Sequence, residues 1–495
     1  MKSLVPLRVF RVWPLAACLL LWLALLGLQA AGTVPPQVPL GLGSAWAQDD
    51  GDDGDDGDDG DDDGDDGGAG RPGGGGARGP ATSRAPGPAA SPASGGGAGD
   101  SGAGRAGPSG AAGPTGSGSR AFTVVPGAPA TPPRAEPDGF LASELLATNP
   151  SPAALRRAQA WGARVIESVD HTSLGVRTVR LRLPPGLDAR TAAEIAAERD
   201  PGVFELHRLY RLEQGAAVPG CQGAACEAVQ RLGWPAAGER CGADQVVGMV
   251  DTEVQADHPS LRGARLSTRR FLSPGQTPAD AAHGTAVAAI LAGQADGGFA
   301  GLLPRARVLA AAPFYRLPSG ANATDAAALV RSLDWLVAQG ARVIGLSLSG
   351  PPSLALQTAV AQAQRRGVLI AAAAGNGGRK DEPVYPVALD GVLGVTALGQ
   401  GNRIYWRAKQ GEHVDYALPG VDVATPEPTG ELRPRSGTSF AVPFLVAKVS
   451  QSVAEQRLSP AQWLSGQGVP VADLGEAGRD PVFGWGLPQV PLACR

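Results

Sequence analysis

From about residue 245 onward, apolar runs of strand length alternate with stretches that indicate helices. Hydrophobicity within each run is continuous, which indicates strands covered on both faces. Such strands, each followed by a helix, predict an α/β domain with a mostly parallel central sheet between two helical layers. The predicted strands are Val246–Val250, Val308–Ala312, Val343–Leu348, Val368–Ala374 and Val392–Leu398, with helices near Ala286, Asp325, Leu354 and Ala441.

Four polar residues lie where these strands end or where helices begin. In chain order they are Asp251 after the first strand, His283 at the start of an apolar helix, Asn376 after Gly375 at a strand end, and Ser439 in the first turn of a later helix. Because ligands bind beyond the carboxyl ends of parallel strands, we expect these side chains to converge there. Taken singly, each also has an ordinary structural explanation as a turn, cap or hydrogen-bonded core residue.

The helix that carries Ser439 is predicted over Phe440–Ser450. Pro443 then falls in its first turn, where a missing N–H leaves no helical hydrogen bond unmade. The backbone N–H groups and the dipole at this helix start favour negative charge that develops beside Ser439.

Four sequence windows together resemble the subtilisin-like serine proteases, also called subtilases or peptidase family S8, from about Asp244 to the C-terminus. They are Asp251-Thr252, His283-Gly284-Thr285-Ala286-Val287-Ala288, Ala373-Ala374-Gly375-Asn376 and Gly437-Thr438-Ser439-Phe440-Ala441-Val442-Pro443, in the family's order. The resemblance implies a subtilisin-like three-layer domain. An esterase of the α/β-hydrolase class is excluded, because its chain order is Ser, acid, His.

The resemblance also implies a role for each residue. Ser439 is the expected nucleophile, His283 the general base, and Asp251 the group that orients the imidazole. The Asn376 side chain and the Ser439 backbone N–H form the expected oxyanion hole. The implied activity is that of a serine endopeptidase, acting on protein or peptide substrates through an acyl-enzyme on Ser439.

The segment Ser347–Gly350 resembles the family strand that pairs with an extended substrate. Leu348, Ser349, Gly350 and Gly375 are therefore the expected substrate-binding residues. No cofactor is expected, and no ligand set for a structural calcium ion can be identified.

This sequence departs from the family pattern at three places. Glu253 stands where Gly is usual, Ser349 replaces a common Gly, and the segment from Gly377 to Val384 is short. Glu253 adds negative charge near the expected triad and is the only support for an alternative, a catalytically impaired peptide-binding or surface module. In the short segment, Asp381 and Glu382 either attract a basic substrate side chain or form a solvated loop.

A small domain is predicted upstream, over residues 139–215, with the peptidase domain at 216–495. Strands at Arg164–Ser168, Val176–Leu183 and Val203–Leu212 alternate with helices at Pro152–Trp161 and Ala189–Glu198, which suggests a ferredoxin-like α+β sandwich. The Leu183-Pro184-Pro185-Gly186 and Asp200-Pro201-Gly202-Val203 segments resemble the inhibitor-type propeptide of subtilases, although another small α+β module fits the pattern too. The resemblance implies an intramolecular inhibitor, and we expect its release by self-cleavage between Gln214 and Cys221.

The N-terminus, residues 1–47, has the features of an export signal. Lys2, Arg8 and Arg11 precede an apolar run, and Ala45-Trp46-Ala47 offers a cleavage site. We therefore expect a secreted or periplasmic protein. The run from Val12 to Ala31 is also nearly long enough for an uncleaved membrane anchor.

Residues 48–138 are predicted to be a disordered linker, because a segment of Asp, Gly, Pro and Ala buries too little apolar surface to offset its ordering entropy. Weak calcium binding by its paired carboxylates is the alternative. Of the 47 acidic residues, 13 lie between Asp49 and Asp66, leaving 34 against 43 bases elsewhere. This diffuse excess gives no basic stripe, and no nucleic-acid partner is expected.

Cysteine usage agrees with export. Cys18 leaves with the signal, and Cys221, Cys226, Cys241 and Cys494 form an even set. Three pairings are open, of which the bond from Cys221 to Cys226 or to Cys241 is preferred; a zinc site is the alternative.

Overall fold

The computed structural model describes Ala135, residues 139–212, Leu232, residues 241–378 and residues 382–494. The predictions for the export segment, the linker, Cys221, Cys226, Asp381 and the self-cleavage stretch lie outside these residues. Among the helices within them, none combines the length and apolarity that a membrane crossing requires.

The upstream domain has the predicted ferredoxin-like layout. Its elements are β1 (Phe140–Thr148), α1 (Pro152–Ala160), β2 (Arg164–His171), β3 (Val176–Arg182), α2 (Ala189–Arg199) and β4 (Phe204–Leu212). The strands pair antiparallel in the order β2-β3-β1-β4. Ser151 and Asp188 accept hydrogen bonds from the first turns of α1 and α2, which sets where each helix begins.

The first strand, β1, was not predicted. Its sequence is rich in Leu, Ala and Glu, which favour helices, and has little β-branching. Pairing with β3 on one side and β4 on the other makes it an inner strand of this sheet despite that local preference.

The peptidase region is built on a sheet of seven strands in the order β14-β13-β12-β10-β5-β7-β6, with every neighbouring pair parallel. The elements of this region are β5 (Val246–Val250), β6 (Arg265–Arg270), α3 (Ala282–Ala292), β7 (Arg307–Ala312), β8 (Tyr315–Arg316), β9 (Asn322–Asp325), α4 (Ala326–Ala338), β10 (Val343–Leu346), β11 (Leu348–Ser349), α5 (Leu354–Arg365), β12 (Leu369–Ala373), β13 (Val392–Leu398), β14 (Tyr416–Pro419), β15 (Val423–Pro426), β16 (Leu432–Arg435), α6 (Thr438–Ala454), α7 (Pro460–Ser465), β17 (Val471–Ala472) and β18 (Leu487–Pro488). The predicted α/β class with a parallel central sheet is confirmed.

Two hydrophobic cores cover the two faces of this sheet. Along β12, Leu369 and Ala371 pack into the core that contains α3 and α6, whereas Ile370 and Ala372 pack into the core that contains α4 and α5. Successive strand residues point to opposite faces, so both must be apolar. This explains the continuous hydrophobicity of the inner strands and gives the three predicted layers.

Sequence reasoning missed the two edge strands, β6 and β14. β6 has the sequence RLSTRR and is partly exposed, because only one of its sides is paired. The strand predicted at Val343–Leu348 is in fact two strands, since β10 ends at Leu346 and β11 leaves the parallel sheet.

The second sheet joins the two domains. Strand β4 pairs antiparallel with β9 and also with β11, so the small domain's sheet continues into peptidase strands. Tyr210 of β4 is fully buried and lies against Gly350, where an added Cβ would be 2.4 Å from the Tyr210 ring.

The observed disulfide joins Cys241 to Cys494, whose Cα atoms are 4.4 Å apart. The preferred bond from Cys221 to Cys241 is therefore wrong, because Cys241 is already used. The C-terminal tail folds back over α6, where Lys448 donates to the Val490 carbonyl at 2.9 Å and Glu455 accepts from the Cys494 N–H at 2.7 Å. This return brings the two cysteines together from opposite ends of the region.

We expect Cys494→Ser to lower the free energy of unfolding by about 2–5 kcal/mol, because the bond closes a loop that spans most of the peptidase region. Urea unfolding in a Ser439→Ala background measures this without proteolysis. Cys241→Ser should cost the same, and the double variant should cost no more than either single one. Additive losses would contradict the pairing.

Candidate functional site

The structure brings together three of the predicted residues at the carboxyl edge of the parallel sheet. Asp251 directly follows β5, His283 is the second residue of α3, and Ser439 is the second residue of α6. All three side chains are fully buried in the full-length chain.

The imidazole of His283 bridges the other two side chains. Its Nδ1 lies 2.6 Å from Asp251 Oδ1, and its Nε2 lies 2.9 Å from Ser439 Oγ. A carboxylate can only accept a hydrogen bond, so Nδ1 must carry the ring proton that it donates to Asp251. Nε2 is then unprotonated and accepts a hydrogen bond from the serine hydroxyl. The Thr252 backbone N–H also donates to Asp251 Oδ1 at 2.7 Å, which fixes the carboxylate.

A glycine after the histidine lets α3 approach β5. Gly284 N–H donates to Thr252 Oγ1 at 2.9 Å. A Cβ at Gly284 would lie 2.4 Å from the Thr252 carbonyl oxygen and 2.5 Å from that of Glu253. Only glycine fits this contact, so the distance between the His283 imidazole and Asp251 depends on Gly284. The ring of Phe440 packs on the imidazole with centroids 4.9 Å apart.

The unusual Glu253 is engaged outside the triad. Its carboxylate forms an ion pair with Arg270 of β6, and this hydrogen bond raises the pKa of Arg270. The negative charge is thus paired at the partly exposed rim, and Glu253 gives no support to an impaired site.

Asn376 is held by Thr438, a residue that sequence reasoning quoted but gave no role. Asn376 Oδ1 accepts from the Thr438 backbone N–H at 3.1 Å and from its hydroxyl at 3.0 Å. The same hydroxyl accepts from Gly375 N–H at 3.2 Å. Both bonds go to the amide oxygen, so the orientation of the Asn376 amide group is set. The sequence Ser436-Gly437-Thr438-Ser439 could have indicated this role. The Thr438 hydroxyl lies next to the nucleophile and can bond the neighbouring turn at Gly375 and Asn376.

Pro443 lies deeper in its helix than predicted, because α6 begins at Thr438 and the proline is its sixth residue. Its missing N–H therefore removes a hydrogen bond that would have reached the Ser439 carbonyl. Ser347 donates to that carbonyl instead, with its Oγ at 3.3 Å. The proline thus leaves the main chain of the serine available to the strand segment Ser347–Ser349.

The expected substrate-binding residues lie on two sides of Ser439. Leu348 and Ser349 pair with Leu212 and Arg211 of β4, so this edge is filled by the chain's own strand. Gly350 exchanges two backbone hydrogen bonds of 2.9 Å with Tyr385. Gly375 has φ +106°, where a side chain would be strained and would press on Lys409.

We expect Gly284→Ala to lower kcat by about 100-fold with the fold retained, because the added methyl group must push α3 away from β5 and lengthen the bond from His283 to Asp251. Peptide turnover and circular dichroism of the purified chain measure the two effects. Ala282→Gly, which adds no atom to the same helix start, is the control. Equal kcat in wild type and Gly284→Ala would contradict the proposed close contact.

Comparison with known proteins agrees with this geometry. Residues 242–486 match the model of the subtilase family. Thermitase from Thermoactinomyces vulgaris is 33% identical over 219 residues, which cover 43% of this chain and 76% of thermitase. The minor extracellular protease Epr of Bacillus subtilis is 32% identical over 216 residues, covering 42% of this chain and 32% of Epr. The chain therefore spans about a third of Epr but most of thermitase.

A solved structure supports the fold. Fervidolysin from Fervidobacterium pennivorans superposes with a TM-score of 0.60 at 22% identity, covering 72% of this chain and 61% of fervidolysin. The family itself is shown by thermitase, which is 33% identical and of which 76% is covered, so the chain belongs to the subtilase family of serine endopeptidases.

Proposed function

We propose that this protein is a serine endopeptidase that hydrolyses peptide bonds through an acyl-enzyme on Ser439. The observation that carries the proposal is the continuous hydrogen-bonded line from Asp251 through His283 to Ser439, with distances of 2.6 and 2.9 Å. A serine hydroxyl is a weak nucleophile until a base accepts its proton, and His283 Nε2 is within reach to do so.

In the proposed reaction, Ser439 Oγ attacks the substrate carbonyl carbon while its proton passes to His283 Nε2. Asp251 stabilises the imidazolium that forms. The imidazolium then gives the proton to the leaving amine as the carbon–nitrogen bond breaks. Water, deprotonated by the same nitrogen, hydrolyses the ester and restores the serine.

Asn376 is the proposed side-chain donor to the tetrahedral oxyanion. Both hydrogen bonds from Thr438 go to its oxygen, which supports the assignment of its nitrogen end as the donor. The Ser439 backbone N–H at the start of α6 is the second proposed donor, and the helix dipole adds to it. No cofactor is needed in this scheme, because the chain supplies nucleophile, base and oxyanion donors. Among the described residues, no group of His, Cys, Asp or Glu is placed to hold a metal ion.

Substrates are proposed to bind by strand addition to β11. The pairing of β4 with Leu348 and Ser349 supports this, since it demonstrates that an extended chain fits this edge in antiparallel register. A substrate must displace β4, so the small domain is the proposed intramolecular inhibitor, removed by self-cleavage between about Gln214 and Cys221. Glu205 of β4 supports the docking by accepting from the N–H groups of Leu354 and Ala355 at 2.7 and 2.9 Å.

Buried charges hold the two domains together. His207 of β4 lies between Glu144 of β1, at 3.0 Å, and Asp325, the N-cap of α4, at 3.2 Å. Arg331 of α4 donates to Glu167 of β2 at 2.9 Å. These charges act beside apolar contacts, because Leu146, Val176 and Tyr210 of the small domain belong to the same hydrophobic core as α4 and α5.

We also propose that the protein acts outside the cytoplasm, as a secreted or periplasmic enzyme. The basic and apolar N-terminal segment and the bond between Cys241 and Cys494 support this, because disulfides persist in oxidising compartments.

Ser439→Ala is expected to abolish turnover of unfolded protein and to leave the chain unprocessed. In subtilisin, losing the nucleophile costs roughly 10⁶-fold in kcat, and losing the oxyanion asparagine roughly 10²- to 10³-fold; these magnitudes are taken from that relative. Asn376→Ala should therefore lose roughly 10²- to 10³-fold in kcat with little change in KM. Ser465→Ala, at the exposed end of α7, is the control. Turnover by Ser439→Ala at the wild-type rate would refute the assignment.

We expect the docked chain to lose stability as pH rises. Burial by itself would lower the pKa of His207, but Asp325 and Glu144 outweigh it and raise the pKa. Its contribution is fully present below the unfolded value of about 6.5 and is lost as pH rises through the raised folded value. Urea unfolding of the Ser439→Ala chain between about pH 6 and pH 9 measures this loss.

His207→Gln should remove this pH dependence, whereas His258→Gln, another buried histidine, should keep it. Arg180, which donates to Glu144 at 2.9 Å, also faces His207 and keeps its charge throughout this range. If the free energy of unfolding changes with pH in the same way with and without His207, another group is responsible for the change.

A further inference from the structure

The two sides of the proposed cleft are both attached to the start of α6. Ser347, which precedes β11, donates to the Ser439 carbonyl, and Gly375 donates to the Thr438 hydroxyl. The side chain of the residue whose carbonyl is attacked must lie between these two sides. The nature of the groups at the base of this space therefore determines which side chain is accepted.

We assign the base of the proposed cleft to residues 382–385. Tyr385 N–H donates to the Gly350 carbonyl, and Gly350 N–H donates to the Tyr385 carbonyl, both at 2.9 Å. The same stretch also reaches Gly375, because a Cβ at Gly375 would be 3.2 Å from Val384 Cγ2. Glu382 at the start of this stretch turns its side chain to solvent.

A lysine lies against the turn that carries Asn376. Lys409 is 7% exposed, and its backbone N–H donates to the Gly375 carbonyl at 2.8 Å. Its stem lies along the oxyanion turn, since a Cβ at Gly375 would be 3.2 Å from its Cδ and a Cβ at Gly377 would be 3.1 Å from its Cε. Its Nζ donates to the Glu382 carbonyl at 2.8 Å.

This ammonium has bonding capacity left. It carries three donors, and the Glu382 carbonyl is its one acceptor among the described residues, where no carboxylate forms a salt bridge with it. A nearly buried charge is costly without an opposite charge or further acceptors. An acidic substrate side chain would supply both. The sequence left open whether Asp381 and Glu382 attract a basic side chain or form a solvated loop. Glu382 exposes its side chain and binds Lys409 through its main-chain carbonyl, so the charge that it brings to this place is positive.

The register of β4 on β11 leads to the same conclusion. Arg211 pairs with Ser349, and Leu212 pairs with Leu348. A substrate bound in this antiparallel register would place the residue that follows the partner of Leu348 opposite Ser347, beside Ser439. In this sequence the residue that follows Leu212 is Glu213. Glu213 itself lies outside the described residues.

We propose that Lys409 is a specificity-determining residue that selects Glu or Asp at the residue whose carbonyl is attacked, and that the chain's first own substrate is the bond from Glu213 to Gln214. The inference rests on the proposed peptidase function. In this cleavage the Glu213 carbonyl carbon bonds to Ser439 Oγ, the bond to the Gln214 nitrogen breaks, and that nitrogen takes the proton held by His283. Water then releases the Glu213 carboxylate. This bond lies immediately before the stretch from Gln214 to Cys221, in which the sequence analysis predicted self-cleavage.

The first test uses the processed protein and peptides that differ only at the cleaved residue, which is Glu, Gln or Lys. Wild type should cleave the Glu peptide with a kcat/KM about 10- to 100-fold above that of the Gln peptide, the range expected for a charge-assisted hydrogen bond. Lys409→Met, which keeps the stem against Gly375, should bring this ratio close to one. Lys409→Arg should retain the preference.

Arg407→Met is the matched control, because it removes a positive charge from the same loop while its side chain stacks on Trp406 outside the cleft. It should keep the wild-type ratio. The inference is overturned, and the proposed function is not, if the active enzyme shows no preference for Glu over Gln. The same holds if the preference survives Lys409→Met. If wild type cleaves no peptide faster than Ser439→Ala does, the proposed function fails and the inference fails with it.

The second test is the N-terminus of the processed protein, read by mass spectrometry. It should begin at Gln214. Glu213→Gln should slow processing about tenfold or more, and adding Lys409→Met to it should slow processing no further, since both changes remove the same interaction. A first cut at another bond, or additive effects, overturns the inference.

Discussion

The hydrogen bonds on the two sides of the His283 imidazole are the interaction on which the rest of the site depends. They join residues 32 and 156 positions apart in sequence, and they form only because β5, α3 and α6 meet at one edge of a parallel sheet. The close contact of Gly284 with the chain after Asp251 sets one distance. The start of α6, where Ser347 and Thr438 attach the neighbouring segments, sets the other. The fold therefore serves mainly to fix three helix and strand ends relative to each other.

The same edge that is proposed to bind substrate is filled by the chain's own small domain. Main-chain pairing of β4 with β11 needs no particular side chain, so one surface could accept both the small domain and the proposed substrates. In the proposed scheme, side-chain selection depends on Lys409. Ionic contacts such as that of His207 with Asp325 add to the contact between the two domains.

The sequence was sufficient for the inner strands and for the candidate triad. Val246–Val250 and Val392–Leu398 were predicted at their observed bounds, because strands buried on both faces leave an unbroken apolar signal. The triad residues were recognisable because their short motifs occur in the family's order. Each of these signals involves residues that are close together in the chain, so it can be recognised from one sequence.

Features that depend on distant contacts were not predictable. β1 and the edge strand β6 take their structure from pairing partners, which composition does not reveal. The partner of Cys241 lies 253 residues away and is brought near only by the returning tail. Likewise, nothing in the order Lys409-Gln410-Gly411 indicates that the lysine lies beneath Gly375.

The most direct test of the central claim is covalent labelling of the processed protein with a sulfonyl fluoride, with the modified residue located by mass spectrometry. We predict a single adduct on Ser439 that forms rapidly in wild type. It should be lost in His283→Ala that has been processed by added wild-type enzyme, because the hydroxyl reacts only when the imidazole accepts its proton. Labelling of Ser439 at an equal rate without His283, or no labelling of it in wild type, would contradict the account.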